Sequence, residues 1–510
     1  MFDDLRGFLN ILKSQSELKE ISGADWDLEI GAITELLAAD ASAPALLFDG
    51  IKGYSPGFRI ATNLFATEQR SALVLRLPSE LKGLDLVRAW REKIRGGIKP
   101  IDPIDAKDAP VKENIVEGDD VDLYRFPVPR WHEWDGGRYI GTGSMTITRD
   151  PDEKWVNLGT YRVMLHDRNT TSFYISVGRH AAIMREKYWS RGRPCPAAIC
   201  LGQDPTLWAM SVATIPWGIS EYGAAGWLRG GPVEVTSAQE TGLPIPAAAE
   251  IVLEGEACPP SVEARDPIPA AAEIVLEGEA FPPSVEAREE GPFGEWMGYY
   301  VGHGKTGKRP NVPVFKVRRI YYRNDPILQG NPPFKPPIPF GVGEHILVSA
   351  AIWDAVEREV PDVRGVWVAK EASTWGALFT VISLRQRYPG HAKQAACVAA
   401  GCRAGAYMGR FYVVIDDDLD PSKMGDVLWA LGTRCDPERS IDVIRETWSS
   451  EADPIISPER KGKGELLGSK ALILACKPYP WYEDFPKVNR ASPELLARVQ
   501  EKWGSILRNG

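Results

Sequence analysis

The stretch WVNLGTYRVMLHD, residues 155–167, sets the prediction for the middle of the chain. Apolar residues recur along this run, before and after Asn157 and again after Arg162. Such a run is typical of a β-strand. The sequence therefore predicts a β-barrel or β-sandwich over residues 113–335. Comparable runs recur on both sides, among them SMTITRD at 144–150, TSFYISVG at 171–178, AAICLG at 197–202, AEIVLEG at 249–255 and VPVFKVRRIYYR at 312–323.

Helical patterns return on either side of this strand-rich region. LEIGAITELLAAD at 28–40 and MGDVLWALGTRC at 424–435 repeat apolar residues at helical spacing. Strand-like runs lie beside them, so we expect an N-terminal α/β domain over 1–112 and a C-terminal α/β domain over 336–510. The last segment, SPELLARVQEKWGSIL, begins with a serine that can cap a helix and a proline suited to its first turn. That helix is expected to pack either on a partner subunit or on its own domain.

Composition narrows the class of protein. The chain has 510 residues, a formal charge of −9 and a pI near 5.5, which argues against a nucleic-acid-binding protein. Seven cysteines without a CxxC pair favour reduced thiols over a disulfide framework. The opening MFDDLRGFLNILKSQ has the pattern of an amphipathic helix, and no apolar run reaches the ~18 residues that span a membrane. We expect a soluble, cytoplasmic protein of two or three domains.

A tandem duplication interrupts the strand-rich region. Residues 244–266 read PIPAAAEIVLEGEACPPSVEARD, and residues 267–289 repeat them with only Cys258 replaced by phenylalanine and Asp266 by glutamate. Two units are too few for a solenoid, which needs about three to bury a core. We expect one AEIVLEGE copy to form a strand. The other would be an added strand or a looped-out insertion, and we favour the insertion.

Familiar ligand-binding patterns are incomplete in this chain. GHGKTGKR at 302–309 lacks the glycine spacing of a phosphate-binding loop, and GTGSMT and GVGEH lack the full dinucleotide fingerprint. The acidic run IDDDLD at 415–420 could bind a hard cation, but its place between a strand and a helix favours a solvated turn that caps the helix. His180 begins a helical pattern after a strand-like run. On pattern alone, a structural histidine is favoured over a metal ligand there.

Two acids and an arginine form the strongest chemical candidate. Glu290 and Glu295 flank Gly-Pro-Phe-Gly, whose proline fixes φ and whose glycines allow a turn, so both carboxylates can point to one place. Arg162 could keep one acid ionised while the other retains a proton, which would make a proton-transfer site. Two unrelated acids on a solvated surface are the alternative that spacing leaves open.

Several stretches together resemble a known family. WVNLGTYR, SVGRH, ATIPWGISEYGAAGWLRG, AAAEIVLEGE, EGPFGEWMGYY and DDDLDPSKMGDVLWALGTRCDP are similar, in order and spacing, to the UbiD-like decarboxylases. That family includes the 3-octaprenyl-4-hydroxybenzoate, ferulic acid and dihydroxybenzoate decarboxylases, and the likeness runs from LEIGAIT to GSKALILACK. The resemblance implies reversible, non-oxidative decarboxylation of an aromatic or α,β-unsaturated acid through a covalent adduct with prenylated FMN.

The resemblance also implies catalytic roles. Arg162 would position the substrate carboxylate, Glu295 would protonate the carbon that loses CO₂, and Glu290 would hold Arg162 in place. In that family an amide oxygen, an imidazole and a carboxylate hold the divalent metal that fixes the flavin phosphate, and this donor set suits Mn²⁺ or Mg²⁺. K⁺ is a further candidate ion. The implied metal ligands are Asn157, His180 and Glu221, and the implied cofactor contacts are Asn157, Arg162, Ser211, Glu221 and Arg403.

Departures from the family pattern bear on the substrate. Arg179 stands where cinnamate-type members carry an amide, and Trp296 directly follows the implied proton donor. Together they suggest a flat aromatic or heteroaromatic acid with Trp296 stacked on its ring, although packing in the pocket wall explains both equally well. Tyr407 is also expected in the substrate pocket. Two alternatives remain: a decarboxylase of cinnamate-type acids, and a non-catalytic subunit that needs a partner protein.

The fold and partners follow from the same resemblance. It implies a mixed α+β fold in which 113–335 form a split β-barrel of the flavin-reductase type that binds the cofactor. This domain would lie between the N-terminal α/β region and a C-terminal α/β oligomerisation domain. The expected partners are a small aromatic acid and CO₂, a flavin prenyltransferase that supplies the cofactor, and further copies of the chain in a homodimer or a hexamer built as a trimer of dimers.

Overall fold

The computed structural model describes residues 2–39, 43–176, 178–213, 215–259, 286–301, 307–338, 343–372 and 376–507. Within these ranges the chain has a mixed α/β fold with an N-terminal, a central and a C-terminal sheet and two smaller sheets. None of the helices described is long and apolar enough to cross a lipid bilayer.

The helices are α1 Leu5–Ser14, α2 Glu29–Ala38, α3 Glu68–Val74, α4 Gly83–Ile94, α5 His180–Trp189, α6 Pro205–Val212, α7 Glu221–Arg229, α8 Glu344–Glu359, α9 His391–Gly401, α10 Arg403–Ala406, α11 Met424–Arg434, α12 Pro458–Gly462 and α13 Pro493–Leu507. The strands are β1 Leu18–Ser22, β2 Ala45–Asp49, β3 Arg59–Thr62, β4 Ile104–Asp105, β5 Asn114–Glu117, β6 Tyr139–Gly141, β7 Met145–Arg149, β8 Val156–Gly159, β9 Val163–Met164, β10 Thr170–Ser172, β11 Cys195–Leu201, β12 Glu234–Ser237, β13 Pro244–Pro246, β14 Ile251–Ala257, β15 Ala287–Glu290, β16 Arg309–Tyr322, β17 Ile327–Gln329, β18 Val363–Val368, β19 Phe379–Leu384, β20 Phe411–Asp416, β21 Ile441–Trp448 and β22 Leu467–Ala475.

The central sheet is the strand-rich region that the sequence predicts. Its strands follow the order β10-β16-β14-β11-β7-β8 with every neighbouring pair antiparallel, and β5 and β15 also pair with the long strand β16. WVNLGTYRVMLHD folds as β8 and β9 around a turn, so Asn157 lies in a strand and Arg162 in the turn. Helices α5, α6 and α7 all pack against β8. The end of β8 is therefore the place where three helices and the turn meet.

The N-terminal sheet is built from two separate parts of the chain. Its order is β1-β2-β3-β17, and β17 follows the central sheet in sequence. The opening segment folds as the amphipathic helix α1, with Asp4 accepting a hydrogen bond from Gly7 N at 2.7 Å at its start. Arg6 of this helix forms a two-point ion pair with the buried Glu250 at 2.7 and 2.8 Å, which ties the helix to the central region. Its buried face consists of Leu5, Phe8, Leu9 and Leu12.

The C-terminal sheet corrects the prediction for the acidic run 415–420. Its strands follow the order β18-β19-β20-β22-β21, and the run begins at the end of β20. Arg434 of α11 donates to Asp416 at 2.9 Å and to both oxygens of Asp418 at 2.8 Å. The N-cap position of α11 is Lys423, which makes no side-chain capping bond. The helix-capping role is therefore wrong, because Arg434 of the following helix binds Asp416 and Asp418, whereas the turn itself is present at residues 417–418 and Asp417 is exposed.

The terminal helix α13 keeps an apolar side uncovered. Its fifteen residues begin at the predicted proline. Four of its apolar side chains are exposed to solvent, so the helix does not use them to pack on its own domain: Leu495, Leu496, Val499 and Trp503.

The first copy of the duplication supplies strand β14, and the last residues of the second copy supply β15. Both strands pair antiparallel with β16, where Ala257 lies opposite Phe315 and Ala287 lies opposite Pro313. The duplicated segment therefore leaves and rejoins the ladder of β16 at neighbouring positions. Residues 260–285, which hold most of the second copy, lie outside the described residues, and so does the prediction of a looped-out insertion.

Candidate active site

The structure brings Arg162 between Glu290 and Glu295. Arg162 lies in the turn between β8 and β9, Glu290 ends β15, and Glu295 follows the Gly-Pro-Phe-Gly segment. Arg162 Nε and Nη2 donate to the two oxygens of Glu290 at 2.7 and 3.0 Å, and Nη1 donates to Glu295 Oε1 at 2.6 Å. Both acids thus contact one guanidinium, so they are not unrelated acids on a solvated surface.

This site is buried, and its charges depend on one another. The side chain of Glu290 is 0% exposed, that of Arg162 14% and that of Glu295 16%. Burial opposes the positive charge of Arg162, but the two carboxylates outweigh it and raise the pKa of Arg162 well above its ordinary value. Tyr139 packs on Phe293 with 4.1 Å between ring centroids, and burial, followed by the charge of Glu290, raises the pKa of Tyr139. Arg162 therefore stays charged and Tyr139 stays neutral at any working pH.

The segment that carries the acids is braced at both ends by one loop. Gly136 N donates to Pro292 O at 2.8 Å, and a Cβ on Gly136 would lie 1.8 Å from Gly291 O, so this close approach requires glycine. At the other end of the segment, Tyr300 OH donates to the buried Asp135 at 3.0 Å. The two acids are thus held on a turn whose position is set by residues that precede it by more than a hundred positions.

Asn157, His180 and Glu221 lie on three elements that meet at β8. Asn157 belongs to β8, while His180 and Glu221 are the first residues of α5 and α7. Glu221 Oε2 accepts a hydrogen bond from Leu158 N at 2.7 Å, which seats the carboxylate next to Asn157 in the chain. The imidazole of His180 meets the ring of Trp155 edge-on at 5.6 Å between centroids. All three predicted metal ligands therefore lie on β8 or on helices that begin beside it.

Two features of these residues fit a divalent cation. Glu221 is buried, and this burial raises the pKa of its carboxyl to about 8, a cost that a bound cation would relieve. The side chain of Asn157 is also buried, and its amide oxygen is a ligand type that such a cation takes. An amide, an imidazole and a carboxylate make a donor set suited to Mn²⁺ or Mg²⁺. The residues present are compatible with such an ion.

The remaining predicted cofactor residues are Ser211, which contacts the turn after β8, and Arg403, whose charge acts on His180. Ser211 Oγ, on α6, lies 2.9 Å from Thr160 Oγ1 in the turn after β8. Arg179 and Arg403 are exposed, and burial followed by the charges of Arg403 and Arg179 lowers the pKa of His180. The imidazole is therefore neutral at pH 7, which is the form that binds a metal.

Trp296 and Tyr407 belong to one apolar cluster of side chains. Trp296 is buried in an apolar cluster with Met297 and Met408, against which Tyr407 packs. A cavity of about 430 Å³ adjoins this cluster, with Met297 and Met408 in its wall. Stacking of Trp296 on a substrate ring stays a prediction.

The sequence did not point to Tyr174, Arg309 and Glu451. Of these three residues, Tyr174 contacts Arg162 directly. Tyr174 lies with its ring centroid 5.3 Å from Arg162 Cζ, and Arg309 Nη1 donates to Tyr174 OH at 2.8 Å and to Glu451 Oε2 at 2.5 Å. These partners of Arg309 are 135 and 142 positions away in the chain, so no local pattern connects them. Arg309 also lies opposite Glu290 in the β15–β16 ladder. A correct strand pairing was the signal that could have found it.

Family models match most of the chain. The N-terminal domain of 3-octaprenyl-4-hydroxybenzoate carboxy-lyase matches residues 9–90, the Rift-related domain of that enzyme matches 103–267 and 260–336, and its C-terminal domain matches 344–475. The break in the Rift-related match falls inside the duplication. The chain therefore belongs to the UbiD family of carboxy-lyases.

Two relatives span nearly the whole chain. Pyrrole-2-carboxylic acid decarboxylase of Pseudomonas aeruginosa is 33% identical over 98% of this chain and 97% of its own length. Phenolic acid decarboxylase of Streptomyces sp. (strain D7) is 30% identical over 94% of this chain and 92% of its own length. Both are decarboxylases by name.

Solved structures share the fold over the full length. Vanillic acid decarboxylase of Sedimentibacter hydroxybenzoicus (ShVdcCD), in an open form with truncated ShVdcD, has a TM-score of 0.78 and 25% identity, covering 100% of both chains. An evolved dimeric form of the UbiD-class enzyme HmfF from Pelotomaculum thermopropionicum, in complex with prFMN, has a TM-score of 0.75 and 25% identity, covering 97% of this chain and 98% of its own. The mixed α/β fold is that of UbiD-class enzymes.

Proposed function

We propose that the protein decarboxylates an aromatic or heteroaromatic carboxylic acid, reversibly and without oxidation. The observation that carries this proposal is Arg162 bonded to both Glu290 and Glu295 at 2.6 to 3.0 Å in a buried site. Such a group can bind a carboxylate and deliver a proton to the same small region. Membership in a family of carboxy-lyases and the likeness to decarboxylases of pyrrole-2-carboxylate and phenolic acids support the substrate class.

The proposed cofactor is prenylated FMN, supported by the likeness to HmfF in complex with prFMN. Loss of CO₂ from a ring carbon leaves an electron pair that no protein side chain can delocalise, and the bound prenylated flavin would supply the missing electron sink. Asn157, Ser211, Glu221, Arg403 and Arg162 are the residues proposed to contact it.

Asn157, His180 and Glu221 are proposed to hold the divalent metal, Mn²⁺ or Mg²⁺. The burial of Glu221 and the neutral imidazole of His180 support this assignment, because both groups gain from a cation placed between them. K⁺ is proposed as a second ion from the family resemblance.

The side chains divide the chemistry among them. Arg162 binds the substrate carboxylate, and Glu290 keeps the guanidinium oriented through two hydrogen bonds. After CO₂ leaves, Glu295 gives its proton to the vacated carbon and then takes one from solvent, so each turnover consumes one proton. Arg179, Trp296 and Tyr407 are proposed to line the pocket for the ring.

Domain boundaries and assembly are part of the same proposal. We propose an N-terminal domain over 1–112, a split β-barrel cofactor domain over 113–335 and a C-terminal oligomerisation domain over 336–510. The three family models, which end and begin near these limits, support the division. The uncovered apolar side of α13 supports a homodimer or a trimer of dimers. A cytoplasmic location and a flavin prenyltransferase as cofactor supplier complete the proposal.

The rival functions are separable. Cinnamate-type acids would replace ring carboxylic acids as substrates if the pocket around Trp296 admits a side-chain carboxylate. A non-catalytic subunit is disfavoured, because Arg162, Glu290 and Glu295 are all retained and bonded to one another. Activity that appears only when a second protein is added would reverse that preference.

The proposed cofactor is tested by producing the protein together with a flavin prenyltransferase. We expect the mass and visible spectrum of the released small molecule to identify prenylated FMN, with about one Mn²⁺ or Mg²⁺ per flavin by metal analysis. Alanine at Asn157, His180 or Glu221 should lose both flavin and metal. Retention of both in all three variants would refute the metal assignment.

A further inference from the structure

Tyr174 lies between two arginines. The ring centroid is 5.3 Å from Arg162 Cζ and 4.3 Å from Arg309 Cζ. The hydroxyl accepts a hydrogen bond from Arg309 Nη1 at 2.8 Å and donates to Glu451 Oε2 at 3.4 Å. Arg309 Nη1 also donates to the same carboxylate oxygen at 2.5 Å. Tyr174, Arg309 and Glu451 are therefore joined by contacts that reach the ring beneath Arg162.

These residues come from three distant parts of the fold. Tyr174 follows β10, Arg309 begins β16, and Glu451 lies on the loop 449–453 after β21. That loop is itself well anchored, because Asp453 accepts hydrogen bonds from Ser449 Oγ at 2.7 Å and from Arg410, the residue before β20, at 2.6 Å. The loop thus presents Glu451 to the central sheet from the C-terminal part of the chain.

The two acids leave the guanidinium plane of Arg162 free to tilt, and the contacts of Tyr174 act on this movement. Glu290 and Glu295 bond to the nitrogens of Arg162 and fix the guanidinium within its plane. The ring of Tyr174 provides an attractive surface for the cation, which opposes tilting of that plane. Because Arg309 and Glu451 hold the hydroxyl of Tyr174, they fix the ring that Arg162 rests on.

We propose that Tyr174 is a positioning residue for Arg162, and that Arg309 and Glu451 influence catalysis through Tyr174. This inference rests on the proposed function, in which Arg162 binds the substrate carboxylate. It makes the catalytic geometry dependent on loop 449–453, so the C-terminal part of the chain contributes to the active site through Glu451.

The test compares Tyr174→Phe, Glu451→Gln and the double variant in flavin-loaded protein. Tyr174→Phe keeps the ring and removes the hydroxyl, and Glu451→Gln keeps the shape and removes the charge. We expect each to lower kcat per bound flavin on the order of tenfold, because small displacements of a positioned group are costly. The double variant should also lose about tenfold rather than about a hundredfold, since both changes break one chain of contacts.

Arg318→Gln is the matched control, because Arg318 lies on the same strand as Arg309 but away from the site. The substitution removes an exposed ion pair with Glu256 of β14. It should keep the wild-type kcat. A merely structural role would lower the amount of folded, flavin-loaded protein but leave kcat per flavin unchanged. Wild-type kcat in Tyr174→Phe and Glu451→Gln, or losses that multiply in the double variant, would overturn the proposal.

A second measurement does not depend on turnover. Hydrogen–deuterium exchange without substrate should be faster in Glu451→Gln than in wild type for peptides covering 160–164, although Glu451 lies nearly three hundred positions away. Unchanged exchange there would contradict the coupling. If wild type converts no acid, the proposed function fails, and exchange alone decides whether Glu451 acts on the turn of Arg162.

Discussion

Glu290 and Glu295 meet the same guanidinium in different ways. Glu290 is fully buried and gives both oxygens to Arg162, whereas Glu295 meets Arg162 through Oε1 and is partly exposed. An acid that uses both oxygens to hold an arginine is suited to orientation. An acid with one oxygen left for a proton and a route to solvent is suited to proton delivery. The different roles of Glu290 and Glu295 thus follow from their burial and from the number of hydrogen bonds that each accepts from Arg162.

Glu295→Gln tests this division at the residue scale. The amide keeps a hydrogen-bond acceptor for Arg162 but has no acidic proton, so we expect kcat to fall by about 10²- to 10⁴-fold while flavin and metal stay bound. Glu289→Gln is the control, because Glu289 is exposed and forms an ion pair with Lys308 at 2.6 Å, away from Arg162. Turnover by Glu295→Gln at the wild-type rate would remove Glu295 from the mechanism.

At the level of secondary-structure elements, the position of the turn that carries the two acids depends on the loop that contains Asp135 and Gly136. Gly136 lets the backbone of that loop approach Gly291 closely, and Asp135 holds Tyr300 at the far end. The sequence predicts the turn from its Gly-Pro-Phe-Gly composition, since φ preferences are local. It could not predict the contact with Gly136, because that contact depends on how two remote loops pack.

Gly136→Ala should disturb this contact. The added Cβ would meet the carbonyl of Gly291 at 1.8 Å, so the turn must move, and we expect a loss of ~1–3 kcal/mol in unfolding free energy together with lower kcat. Gly137→Ala is the matched control, since its Cβ would meet only the flexible side chain of Met164 at 3.1 Å. Equal stability and kcat in the two variants, measured by chemical unfolding and steady-state assay, would contradict the bracing role.

For the whole molecule, the sequence predicts the order of strand-rich and mixed regions well, because apolar periodicity is a local property. WVNLGTYRVMLHD supplies β8 of the central sheet and β9 of the two-stranded sheet with β6, and VPVFKVRRIYYR supplies most of β16. What periodicity cannot supply is the partner of each strand. The pairing of β15 with β16 and of β17 with β3, and the contact of Arg309 with Glu451, all join residues far apart in the chain.

The duplication offers a test at this scale. Deleting residues 260–282 joins Pro259 to Pro283 and leaves a single copy, with β14 and β15 both retained. Because the two strands lie at neighbouring positions on β16, a shorter connection can close the gap, and we expect flavin content and kcat to stay within about twofold of wild type. A deletion variant that is folded but free of flavin would mean that the second copy is part of the site.

Acid stability of the whole chain should depend on His345. This residue is buried on α8 against Trp367, its Nε2 has no partner among the described residues, and burial lowers its pKa to about 4. The folded pKa lies below the unfolded value, so the unfolded chain binds the proton first. Stability is therefore complete above pH ~6.5 and falls by roughly 3 kcal/mol as the pH drops towards 4.

His345→Gln removes this titration. Urea unfolding at pH 7 and at pH 4.5 should show a smaller difference for the variant than for wild type. An equal pH dependence of the two proteins would exclude His345 as a source of acid sensitivity.

Glu295 is proposed to deliver a solvent-derived proton to a ring carbon that has lost CO₂. We would incubate flavin- and metal-loaded protein with pyrrole-2-carboxylate in D₂O and follow the products by NMR. We expect release of CO₂ and pyrrole that carries deuterium at the vacated carbon, with no such product from Glu295→Gln. If protein fully loaded with flavin and metal leaves pyrrole-2-carboxylate and phenolic acids unchanged, that result would contradict the proposed reaction.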